Sequence, residues 1–166
     1  ADIGEPALRT NLQWIAPEVK ARYQKAATEL FTFLRKNLKE NKFVRIHGDC
    51  HRGNILHDGK QFFFIDFDDF CNGPVEQDMW LLLSAAGPEA DLECELFLEG
   101  YRELREYDEA QTILFEPLRG LRIIYYASWI AQRWKDPSFQ QIFPQFNTFN
   151  YWAEETEQIE RIVWNL

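Results

Sequence analysis

The spacing of apolar positions along this chain changes from helical to short and back again. From Glu18 to Lys39, Val19, Tyr23, Ala26, Ala27, Leu30, Phe33, Leu34 and Leu38 recur at helical spacing. Arg35, Lys36 and Lys39 stand at the end where a helix dipole favours cations. The pattern then shortens. Phe43-Val44-Arg45-Ile46 alternates like a strand until Gly48, and Ile55-Leu56 and Phe62-Phe63-Phe64-Ile65 flank His57-Asp58-Gly59-Lys60. An Asp-Gly pair between apolar runs predicts a β-hairpin. Gly73-Pro74 marks a turn, after which helical spacing returns over Glu76–Ala86, closed by Gly87-Pro88, and over Glu89–Arg105. Pro117 opens a further helix, Leu118–Trp134, which Asp136-Pro137 ends; a Phe-rich connection leads to a last helix over Thr148–Val163. Residues 1–17, with Pro6 and Pro17, read as a leading loop. Tyr125, Tyr126, Trp129, Trp134, Phe143 and Trp152 are expected in the helical core first and in a partner groove second.

This order of elements predicts an α+β fold, mostly helical, with a small β insert. With 166 residues, 46% of them apolar, the chain is long enough for one domain with its own core. Its formal charge of −9 argues against nucleic acid, whose binders carry a basic footprint, and suits divalent cations or cationic substrates. The densest apolar run, Met79-Trp80-Leu81-Leu82-Leu83, is far shorter than the roughly 20 residues that span a bilayer. The opening Ala1-Asp2-Ile3-Gly4-Glu5 is acidic, unlike a signal peptide, although the chain lacks an initiating Met. A cytoplasmic monomer is expected. Cys50, Cys71 and Cys94, an odd number without metal-site spacing, fit reduced thiols. Cys50 reads as a small packing residue in preference to a nucleophile.

The predicted hairpin folds the chain back on itself, which brings the loop of Asp49 and Asn54 close to that of Asp66, Asp68 and Asp69. Hard oxygen ligands without a compensating Lys suit Mg²⁺, usually held by one or two carboxylates plus substrate phosphates. Taken singly, each residue also has a plainer use. Asp49 can cap a loop, Asn54 can serve a turn and Asp66 can end a strand. Asp68 and Asp69 fit a metal shell or solvated loop acids. His47 and His51 stand i, i+4, but a zinc pair at that spacing needs a helix, which Gly48 opposes. His57, before the hairpin turn, is expected to be exposed. Strand alternation points Leu56 and Ile65 toward the site, where core packing and a ligand wall look alike.

The run His47-Gly48-Asp49-Cys50-His51-Arg52-Gly53-Asn54, followed by Ile65-Asp66-Phe67-Asp68, resembles the catalytic and metal loops of the aminoglycoside phosphotransferase and choline kinase group, relatives of protein kinases. The resemblance runs from about Glu18 to Arg161. It implies a protein-kinase-like carboxyl-terminal lobe whose small hairpin carries both loops. Asp49 would be the catalytic base, Asn54 and Asp66 the Mg²⁺ ligands, and Leu56 and Ile65 one side of an adenine pocket. His47 would be a buried structural histidine, and Asp78 the acid tying the catalytic loop to the next helix. ATP would be the phosphoryl donor. Asn72-Gly73-Pro74, Gln77-Asp78 and Tyr125-Tyr126-Ala127-Ser128-Trp129 point toward the bacterial stress-response kinases of that group, which implies protein Ser/Thr hydroxyls as acceptor. A small-molecule acceptor such as an aminoglycoside, choline or a sugar alcohol is the alternative, and a non-catalytic binding module a third reading. The family also has an amino-terminal β lobe with a phosphate-covering loop and a lysine. No counterpart precedes the first predicted helix, and Lys20 and Lys25, on that helix, do not substitute. Weak ATP affinity and little turnover are expected of this chain alone.

Overall fold

The computed structural model describes residues 2–39, 42–83 and 89–166. They form two compact units, one of residues 1–37 with 116–166, the other of residues 38–115.

The first unit is helical. Helix α1 (Glu5–Asn11) falls where the sequence predicts a leading loop. Its Pro6 lies in the first turn, where a missing N–H costs nothing and the ring pre-sets φ. Asn11, fully buried, donates through Nδ2 to Tyr23 Oη at 3.0 Å and to the Ile124 carbonyl at 2.9 Å, which fixes α1 to its neighbours. Helix α2 (Pro17–Asn37) buries Val19, Tyr23, Ala26, Ala27, Leu30, Phe31 and Leu34 along one stripe. Phe31 takes the core place that the spacing gives to Phe33, which is half-buried. Glu18 in the first turn and Arg35 and Lys36 in the last complement the dipole.

Helix α5 (Phe115–Arg133) reaches α2 through Gly120, where a Cβ would stand 3.0 Å from Leu30 Cδ2 and 3.2 Å from Ile162 Cδ1. Helix α6 (Pro137–Ile142) occupies part of the expected connection. Asp136 caps it by accepting from Ser138 N at 2.9 Å, so the residue that ends α5 also starts α6. Helix α7 (Phe149–Trp164) begins at Thr148, whose Oγ1 accepts from Tyr151 N at 3.3 Å. Its buried row Trp152, Thr156, Ile159 and Ile162 meets α2, with Trp152 edge-on to Tyr23 at 5.8 Å. The aromatic residues divide. Trp152 is buried, Trp134 and Phe143 are half-buried, and Tyr125, Tyr126 and Trp129 are exposed. The last three share the half of α5 opposite Ile124, Ala127 and Ile130, so burial of one face decided their place over their apolarity.

The second unit holds all the strands described. Strand β1 (Val44–Ile46) pairs antiparallel with β4 (Cys71–Gly73), Val44 opposite Gly73. β4 has only three residues, two of them polar or Gly, and carries no alternation that predicts a strand. Strands β2 (Ile55–His57) and β3 (Phe62–Phe64) form the predicted hairpin, Leu56 opposite Phe63, with Gly59 at φ 95° in its turn. Helix α3 (Glu76–Leu82) follows and stops short of the predicted span, since Leu83 is already extended at φ −94° and ψ 150°; residues 84–86 of that span, with Gly87-Pro88, lie outside the described residues. Helix α4 (Ala90–Arg102) and a 3₁₀ stretch (Glu109–Leu114) complete the unit. No helix among the described residues is long and apolar enough to cross a membrane.

Candidate active site

The candidate residues all lie in the second unit. Strand β1 delivers the chain to His47, and Gly48 then turns it with φ 88°, a conformation that glycine adopts without penalty. A side chain there would also collide with the Asp69 carbonyl oxygen, so the loop after β1 runs against the acidic loop before β4. Asp78, on the first turns of α3, holds this corner with both carboxylate oxygens. Oδ2 accepts from His47 N at 2.7 Å and Oδ1 from Gly48 N at 2.9 Å. These are charge-assisted bonds to two backbone donors of a chain in tight turn geometry.

His47 is buried beneath the corner. Its Nε2 lies 2.9 Å from the Ile65 carbonyl oxygen, and its Nδ1 accepts from Asp49 N at 3.3 Å. With Asp49 N–H donating to Nδ1, the ring proton belongs on Nε2, which donates to Ile65. The ring also packs on Phe67 at 4.6 Å. One imidazole therefore ties the Asp49 backbone to the chain that enters the acidic loop.

Asp49 is half-buried, its Oδ2 3.5 Å from His51 Nε2. Its carbonyl accepts from His51 N at 2.8 Å and from Asn54 Nδ2 at 3.0 Å. His51 caps the 3₁₀ turn Arg52–Asn54 through Nδ1, which accepts from Gly53 N at 3.0 Å. His47 and His51 thus face different partners with no helix between them. The turn hands the chain directly to β2, and the Asn54 carbonyl accepts from Ile65 N at 3.0 Å. That bond extends the hairpin ladder by one rung and sets Asn54 beside the start of the acidic loop, whose next residue is Asp66.

Asp66 has φ 63°, the one left-handed conformation outside glycine among the described residues. Asp tolerates this region better than most side chains, and a non-glycine residue held there is the kind of local strain that concentrates at functional sites. The donor set fits Mg²⁺. Asn54 is buried and its Nδ2 is spent on Asp49, leaving the amide oxygen, while Asp66 is exposed and contributes a carboxylate. Among the described residues no three His, Cys, Asp or Glu side chains are grouped to hold a metal, so the protein would supply two oxygens and bound phosphates or water the remainder. Leu56 and Ile65 are 51% and 40% exposed, so neither is a packed core residue. With Phe63 they lie on one face of the hairpin by strand alternation. Asp68 and Asp69 are both exposed. His57 is exposed too, its ring packed on Phe62.

Cys50 is buried directly after Asp49. Burial, and secondarily the Asp78 and Asp49 charges, push its thiol up to about 11, which keeps it protonated at neutral pH and unsuited to nucleophilic work. Two residues that sequence reasoning passes over also serve the loop. Arg52 donates through Nε to the Leu82 carbonyl at 3.0 Å and pairs with Glu93, joining the 3₁₀ turn to α3 and α4. Arg45 stacks over Phe70 at 4.4 Å, pinning the end of the acidic loop to β1. A lone Arg next to a glycine carries no spacing signal, and its partners are 30 and 41 residues distant.

The family described as the phosphotransferase enzyme family matches residues 4–113. Stress response kinase A of Escherichia coli is 42% identical over 140 residues, covering 83% of this chain and 42% of the relative. A Salmonella typhimurium relative named serine/threonine protein kinase RdoA is 40% identical over 139 residues, covering 82% of this chain and 42% of the relative. The chain therefore spans well under half the length of these curated relatives. Among solved structures, spectinomycin phosphotransferase APH(9)-Ia in complex with ADP and spectinomycin matches with a TM-score of 0.55 and 19% identity, over 98% of this chain and 49% of that one. Its AMP-bound complex gives 0.56 and 21%, over 89% and 45%. At that identity the likeness establishes the fold, a mostly helical protein-kinase-like one with small antiparallel sheets.

Proposed function

This chain belongs to the phosphotransferase enzyme family, and on that premise we propose that it is the carboxyl-terminal lobe of an ATP- and Mg²⁺-dependent kinase. The observation that carries the reading is the Ile65 N to Asn54 O bond, which sets the two candidate metal ligands in adjoining positions on the loop system that carries Asp49. Phosphoryl transfer asks mainly for positioning and charge neutralisation. Asp49 orients the acceptor hydroxyl and takes its proton. His47 and Asp78 act as positioning residues, since they hold the backbone on either side of the loop's turn and never reach the reacting atoms. Asn54 and Asp66 would hold Mg²⁺, which when bound would neutralise charge on the nucleotide phosphates. Leu56 and Ile65, exposed on one hairpin face, offer an apolar wall for the adenine.

Protein Ser/Thr hydroxyls are the proposed acceptor, supported by the name of the Salmonella relative. A small hydroxyl compound is the second reading, favoured by the spectinomycin in the matched complex and by the −9 charge, which suits a cationic acceptor. Offering the longest natural chain that carries this sequence a generic protein and a panel of small alcohols separates the two. Labelling of the panel alone overturns the protein acceptor.

The nucleotide reading is tested by calorimetric titration of Mg²⁺–ATP. Binding is expected to require Mg²⁺ and to weaken by about tenfold or more in Asp66→Asn, which removes a charged ligand but keeps its shape. Affinity that is indifferent to both the metal and the substitution overturns the assignment.

A further inference from the structure

The second unit contains a cavity of about 430 Å³ that the proposed phosphoryl transfer does not use. Its size falls within the range of small-molecule sites. Val44 lines it at the start of β1, the strand whose far end delivers His47, and Glu76 lines it at the start of α3. Glu76 is 94% buried, being 6% exposed, an unusual place for a carboxylate. Burial is the main influence on its carboxyl and pushes it up, and Lys42 offsets part of that. Tyr107 stands close enough to Glu76 for each to perturb the other, yet its Oη is buried without a hydrogen bond of proper geometry. Tyr101 meets Tyr107 edge-to-face at 5.9 Å, and both line the cavity as an aromatic wall.

These features favour one ligand charge. Lys39, Lys42, Arg105, Glu106 and Asp108 line the cavity too but are exposed, which leaves Glu76 as the buried charge among its described lining. A neutral occupant could give that carboxylate a hydrogen bond but no charge and an anion would be repelled, whereas an ammonium supplies charge and N–H donors together. The ring faces of Tyr101 and Tyr107 also attract cations. The cavity is mechanically near the catalytic loop. Val44, Val75, Tyr101 and Arg105 line a second cavity of about 210 Å³ as well, and that one reaches Asp78. Glu76 and Asp78 share α3, so whatever loads Glu76 loads the helix that grips His47 N and Gly48 N.

We propose that this cavity is an effector site for a compact organic amine, its ammonium on Glu76 and its body against Tyr101 and Tyr107, and that occupancy stiffens the catalytic loop through Asp78. The test titrates tyramine into the 166-residue chain, with N-acetyltyramine as the same body without the charge, and follows amide exchange at His47 and Gly48. Tyramine is expected to bind at least about tenfold more tightly than the acetylated compound, and Glu76→Gln to remove that advantage. Exchange at both amides is expected to slow in the unaltered chain and not in Glu76→Gln. Tyr107→Phe keeps the ring and the charge, and is expected to give a smaller loss of tyramine affinity, which guards against a folding defect in the first variant. Absence of tyramine binding, equal affinity for the two compounds, indifference to Glu76→Gln, or unchanged exchange at the two amides each overturns the proposal. Binding is read here independently of phosphate transfer, so failure leaves the kinase reading untouched.

Discussion

At the scale of single residues, the candidate site is shaped by a few side chains that hold backbone. Asp78 accepts from two consecutive N–H groups, and His47 bridges the Asp49 backbone to Ile65. Removing the carboxylate leaves two part-buried donors without partners, a cost of about 1–3 kcal/mol for each group so stranded. Asp78→Ala is therefore expected to lower unfolding stability by about 2–4 kcal/mol in urea, and Asp78→Asn, which keeps one oxygen acceptor, by less. Equal and negligible effects of both would mean that Asp78 does not hold the turn. The candidate residues could be named from sequence because chemistry and spacing coincide, an acid five positions before an amide and a second acid one hairpin later, and the fold brings their loops together. Arg52 and Arg45 were not legible, since their roles depend on partners brought near only by folding.

At the scale of elements, the helices with one continuous apolar stripe were legible to within a few residues, as α2 and α7 show. The hairpin was legible through its Asp-Gly turn. Helix α1 was hidden by Pro6, which punctuates a sequence in the interior of a helix but starts one in its first turn. Strand β4 was hidden by its brevity, because three residues hold no period and its place is fixed by pairing with β1. The exposed aromatics of α5 were misplaced for a related reason, since an aromatic run covers both helix faces and only packing chooses one.

Helix α7 also carries a pH-sensitive group. Glu155 is half-buried, and desolvation first, then the Glu154 charge, holds its carboxyl up at about 7 against an ordinary 4.5. The folded chain thus keeps a proton that the unfolded chain releases between those values. Its contribution is full below the lower value and is lost as pH rises through about 7, at most about 3 kcal/mol. Unfolding by urea at about pH 5 and about pH 8 is expected to show lower stability at the higher pH. Glu155→Gln is expected to flatten most of that slope, the remainder coming from Glu76, which burial also raises. An unchanged slope in Glu155→Gln would remove Glu155 as its source.

At the scale of the whole molecule, the kinase-like fold and the family follow from the sequence and from the comparisons, and phosphate transfer to a hydroxyl acceptor is the proposed activity. The −9 charge bears on the choice of acceptor without making it, because net charge mainly governs solubility and encounter. The chain covers 42% of the length of its curated kinase relatives, so the most direct test uses the longest natural chain that carries this sequence. Transfer of labelled γ-phosphate from Mg²⁺–ATP to its best acceptor is measured for the unaltered chain and for Asp49→Asn. Turnover is expected to fall about 10²–10⁴-fold with Mg²⁺–ATP affinity retained, the loss that follows when a general base is removed and the metal ligands stay. Undiminished transfer by Asp49→Asn, or no transfer by the unaltered chain to any acceptor, would contradict this reading.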